Sequence, residues 1–118
     1  MATSELELYY ERKLRIALDA LDELDRLELD PKISSQERDR IREMKPSWQR
    51  EYTLARTQYA GVISAQSALP LPPEPMRKRL AELSDAVEQQ VNAGKGANAA
   101  VAAADRFVTI VTELQKMA

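Results

Sequence analysis

Six acids crowd one stretch of the chain: Asp19, Asp22, Glu23, Asp25, Glu28 and Asp30. Carboxylate oxygens ligate hard cations such as Mg²⁺ and Ca²⁺. An EF-hand loop, however, needs alternating oxygen ligands around a central glycine, and this stretch offers neither. A ferritin-like di-metal site needs Glu-x-x-His pairs, and the chain contains no histidine. The acids therefore read as a solvated face that pairs with bases elsewhere, and neither metal nor cofactor is expected. Cysteine is also missing. Disulfides, thiolate and imidazole nucleophiles, zinc-finger ligands and His-ligated haem are thereby removed together.

Gly94-Lys95-Gly96 invites comparison with a phosphate-binding loop. That loop needs a glycine where Gln89 stands and a hydroxyl residue where Gly96 stands, so a helix-helix turn is the better reading. Two P-x-x-P spacings overlap in Pro70-Leu71-Pro72-Pro73-Glu74-Pro75. Such a segment can dock extended into an aromatic groove, but between helices it serves more often as a stiff spacer. Arg77-Lys78-Arg79 is the only run of three bases. It has no second basic patch or interleaved aromatics beside it, and reads as a solvated face. A net charge of −2 also argues against general nucleic-acid binding through excess positive charge.

These residues must be positioned by helices. The 118-residue chain is 44% apolar and 31% charged, with three glycines, and β-branched alternation is absent. The expectation is an all-α fold, one helical domain over residues 1–118. It is an antiparallel bundle of four helices at about 4–29, 35–68, 75–92 and 97–116, with a proline-rich linker at 70–75. Ser4 and Ser34 are suited to capping the first two helices, and Ser34 with Glu37 has capping-box spacing. Tyr10, Leu14, Ala17, Leu21 and Leu24 keep a 4-3-4-3 rhythm in the first. In the second, Ile41, Met44, Trp48, Tyr52, Ala55, Tyr59, Val62, Gln66 and Leu69 stay in phase across Pro46, so a kink is expected there and not a break. Met76, Leu80, Leu83, Val87 and Val91 form a narrow stripe in the third. The fourth has a wide face of Ala97, Ala100, Val101, Ala104, Phe107, Val108, Val111 and Leu114. That third stripe continues in register through Gly94 into Val101, which leaves one bent helix as an alternative to two.

Charge selects the first pairing. Residues 1–33 hold nine acids and five bases, whereas 34–69 hold four acids and six bases. An antiparallel hairpin sets the acids that end the first helix against Arg38, Arg40, Arg42 and Lys45 at the start of the second. Three polar residues interrupt apolar arcs. Gln66 is suited to a buried, register-setting role, and Lys13 and Glu28 to a rim.

No apolar run reaches the length of a membrane span and the first residues are acidic, so a soluble, cytoplasmic chain is expected without membrane or nucleic-acid contact. Apolar surface on the first and fourth helices exceeds what the second and third can cover. The expected function is that of a helical interaction protein, an adaptor, chaperone-like protein or assembly factor. It would meet a protein partner or a second copy of itself as a homodimer, with no catalysis. Trp48, Tyr52, Tyr59, Phe107, Val111 and Leu114 are the candidate interface. The fourth helix is expected to pack on the first and to offer its remaining face, Val111 included, to a second protomer.

One stretch points elsewhere. Leu14-Arg15-Ile16-Ala17-Leu18-Asp19-Ala20-Leu21-Asp22 resembles the opening of the helical chorismate mutases, in which an arginine precedes spaced aspartates among aliphatics. The resemblance implies a small helical enzyme whose cationic side chains grip substrate carboxylates and polarise an ether oxygen. Arg15 is the one position it carries over. Leu27-Glu28-Leu29-Asp30-Pro31 stands where that family has Leu-Leu-x-x-Arg.

Overall fold

In the computed structural model, which describes residues 4–64, 70–93 and 99–116, with side chains from 4–64, 70–91 and 106–116, the helix boundaries follow the local chemistry. The hydroxyl of Ser4 accepts the Glu7 N–H at 3.1 Å and opens α1, Glu5–Glu28. The hydroxyl of Ser34 accepts the Glu37 N–H at 3.2 Å and opens α2, Ser35–Ile63. Both serines sit in extended backbone, the geometry in which a short hydroxyl can satisfy an orphan donor of the first turn. The Pro73 carbonyl accepts the first amides of α3, Glu74–Ala93, which places Pro75 in its first turn, where a missing N–H costs little. The last element is α4, Ala99–Lys116.

Among the described residues every regular element is an α-helix. α2 runs unbroken through the exposed Pro46, so the helix accommodates the lost bond to the Arg42 carbonyl. Residues 65–69 lie outside the described part, and with them the last turns expected for this helix, including Gln66 and Leu69. So do Gly94-Lys95-Gly96, Ala97, and the side chains of Ala100, Val101 and Ala104. α3 and α4 are two helices packed against each other, and the single bent helix is set aside.

Side-chain pairings give the directions. Glu28, the last residue of α1, bonds Arg42 at 3.0 Å and Lys45 at 2.6 Å, and Lys45 also reaches Asp25. α1 and α2 are therefore antiparallel, held by the acid–base complementarity legible in their sequences. The turn between them is braced by Arg38, which donates to the carbonyls of Glu28 and Asp30, and plugged by the buried Ile33. Arg77 near the start of α3 meets Glu5 at the start of α1, so these two run parallel. Arg79 grips Glu113 at the far end of α4, so α3 and α4 are antiparallel.

The cross-section has the cyclic order α1, α2, α4, α3, since α1 packs on α2 and α3 while α4 packs on α2 and α3. This corrects one expectation: α4 does not take α1 as its neighbour but lies diagonal to it. The physical reason is that both flanks of α1 are already covered. Its wide apolar stripe buries Tyr9, Tyr10, Ile16, Ala17, Ala20, Leu24 and Leu27 between α2 and α3. The shared core adds Ile41, Met44 and Trp48 from α2, Leu80, Leu83 and Val87 from α3, and Phe107, Ile110, Val111 and Leu114 from α4. Trp48 and Phe107 meet edge to face with centroids 5.9 Å apart, an arrangement that suits the aromatic quadrupole. The molecule is 45 Å long, about the length of α2 at 1.5 Å per residue.

Candidate functional site

The expected interface residues come together, but inside the bundle. Trp48, Phe107, Val111 and Leu114 are buried, and Tyr52 and Tyr59 pack half-buried at the margin of the same core. Within one chain this set serves the core. The spacing that marks an interface helix is the spacing of any core-facing helix, and α2, α3 and α4 cover one another's stripes. On the described part of α4 the only large apolar side chain left exposed is Val108.

The surface opens instead between α3 and α4. The half-buried Ala86 and the edges of the buried Leu83 from one helix and the buried Ile110 from the other form the base of a groove of about 310 Å³. Its walls are charged. Arg79 binds the Glu113 carboxylate through two nitrogens and Glu82 at 2.8 Å, and Arg106 lines the opposite part of the rim with Thr109. The Arg79 guanidinium holds the Glu113 carboxyl below the usual glutamate range, and Glu113 and Glu82 in turn raise Arg79. The groove thus has an apolar base between fixed, internally neutralised charges. It can hold an apolar side chain or short segment and orient it by its polar flanks.

A second cluster was missed by sequence reasoning. Lys13 is 3% exposed and Glu51 7% exposed, both in the interior. Lys13 was expected at a rim; its Nζ instead donates to Gln58 Oε1 at 3.3 Å within the bundle. Burial lowers the Lys13 pKa, with Glu51 opposing, and burial raises Glu51, with Lys13 and Arg50 opposing. Glu51 Oε2 and Trp48 Nε1 are buried without a hydrogen-bond partner. The available signal was phase: Met44, Trp48, Glu51 and Ala55 are spaced 4-3-4 and all are buried, whereas Tyr52, which also keeps helical spacing from Trp48 and Ala55, lies at the edge. Gln90 is a further buried polar residue, in phase with Leu83 and Val87.

Other candidates are used within the fold. Glu28 sits at the rim as expected, and bonds to Lys45 and Arg42 hold its carboxyl below the usual range. Arg77 donates to the Pro72 carbonyl and to Glu5, so two of the three clustered bases are engaged inside the chain. Among the described residues no acidic side chains gather into a metal-holding group, and no helix is long and apolar enough to cross a membrane. Arg15 is exposed beside Glu11 at 3.9 Å and shares a shallow depression with Leu14, Leu18, Asp19 and Tyr59. Two carboxylates next to one guanidinium are a poor cradle for a dianionic substrate.

No family model, curated protein or solved structure matches the chain.

Proposed function

We propose that this chain is a helical interaction module, without catalytic chemistry of its own, that receives an apolar segment of a protein partner in the groove between α3 and α4. The observation that carries this reading is the groove itself: the half-buried Ala86 and the outer edges of the core residues Leu83 and Ile110 line its base, walled by Arg79, Glu82, Arg106 and Glu113. A partner helix or extended segment that inserts one or two apolar side chains would bury this floor, while the rim charges set its direction.

Ala86→Arg tests the proposal. The new side chain rises from a half-buried floor position and fills the groove, yet its charge reaches solvent, so the bundle should melt as the wild type does. Capture of partners from the native host is expected to fall with the variant. Light scattering on both proteins identifies whether the partner is a second copy, because a wild-type dimer would then become a monomer in Ala86→Arg. Equal capture and equal mass in solution, with melting unchanged, would remove the groove from the function.

A further inference from the structure

Glu5, Leu8, Tyr9 and Arg12 recur at i, i+3, i+4 and i+7 and so occupy one face of α1. With Arg77 of α3 they line a notch of about 160 Å³. Liquid water occupies about 30 Å³ per molecule, so the space suits an oxyanion with a few further atoms. Arg77 is held at its base: its Nε donates to the Pro72 carbonyl at 3.1 Å and its Nη1 to Glu5 Oε2 at 3.0 Å. Its remaining terminal nitrogen has no partner among the described residues. Arg12 is exposed and likewise has none among them. Two guanidinium groups thus line one notch with a single carboxylate, which pairs with Arg77. The Glu5 side chain is 70% exposed, and an exposed ion pair of this kind exchanges readily with solvent.

We infer that this notch binds a doubly charged oxyanion, phosphate or a phosphate monoester, which displaces Glu5 from Arg77 and is shared with Arg12. Glu5 shows what chemistry the anchored guanidinium accepts. Two guanidinium groups lining one notch exceed the charge of one carboxylate, and a dianion would balance them. Leu8, 46% exposed, and the Tyr9 ring give the wall against which a short apolar ester group would rest. This site is independent of the α3/α4 groove.

The test is titration of the full chain with inorganic phosphate, and separately with phenyl phosphate, against sodium chloride at matched ionic strength. Thermal unfolding and phosphorus NMR line width are the readouts. The wild type should show a saturable rise in melting temperature with phosphate that chloride does not reproduce, and phenyl phosphate should bind more tightly if the apolar wall is used. Glu5→Gln should melt slightly lower without phosphate yet bind phosphate about threefold or more tightly, because the internal competitor is gone. Arg12→Gln should lose the saturable response while folding normally. If Glu5 and Arg77 form a structural pair only, all three proteins will respond alike to phosphate and chloride, and the inference is overturned. Equal affinity for phosphate and phenyl phosphate would assign the site to the free anion and remove the apolar wall.

Discussion

Replacing Lys13 by methionine exposes the energetics of the interior most directly. Glu51 would then be a buried carboxylate that has lost the stronger of its two compensating charges, with only the exposed Arg50 left and no hydrogen bond at its Oε2. At neutral pH such a group can stay charged, or take up a proton and become neutral. The second route caps the cost. Protonating a glutamate of ordinary pKa about 4.3 at pH 7 requires about 2.7 × 1.36, or about 3.7 kcal/mol. The charged route costs about 3–5 kcal/mol by analogy with broken buried pairs. Lys13→Met should therefore lose about 3–4 kcal/mol at pH 7, or about 12–16 °C in melting temperature for a chain of this length. The sign of the pH dependence follows by linkage. Glu51 titrates above its unfolded value, so the folded variant binds more protons than the unfolded chain, and its stability rises as pH falls. The deficit should shrink as pH falls from 7 toward the ordinary glutamate range. Lys13→Met/Glu51→Leu should recover wild-type stability or exceed it, because removing both charges removes both desolvation costs. Circular dichroism melts of the four proteins of this cycle at pH 7, 6 and 5 measure every quantity. A Lys13→Met protein as stable as wild type at pH 7, or one whose deficit does not change with pH, would refute the burial of this pair.

Two further predictions concern local elements. Pro46→Ala should raise stability by about 2 kcal/mol, since proline costs about 3 kcal/mol against alanine inside a helix and its restraint of the unfolded chain returns only about 0.4–1. Urea denaturation checks this, and an unchanged midpoint would mean that packing of Met44 and Trp48 requires the geometry Pro46 imposes. Glu28 has a depressed carboxyl pKa through Lys45 and Arg42. Its stabilisation is present above the ordinary glutamate value and lost as pH falls through the folded value. Glu28→Gln should melt below wild type at pH 7, and the gap should close as both are titrated to pH 3; parallel curves across that range would contradict the pairing.

The sequence by itself determined the helices and their first pairing, because both depend on groups close along the chain. Ser4 and Ser34 cap where a hydroxyl precedes an amphipathic run, and the prolines around residue 72 stop one helix from becoming the next. The α1–α2 hairpin was legible because Asp25 and Glu28 and their partners Arg42 and Lys45 stand within a short turn of one another. Only the tertiary structure decided that α4 lies diagonal to α1. Apolar stripes attract one another without regard to identity, and which two become neighbours depends on how four faces of different width close around one core. The same cause hid the polar cluster. Lys13 looks like a rim residue when its helix is read alone, and it becomes interior, beside the buried Glu51, when helices arrive on both flanks. It likewise made the candidate interface of Trp48, Phe107, Val111 and Leu114 into core, and left a groove between α3 and α4 whose base is the edge of that core at Leu83, Ala86 and Ile110.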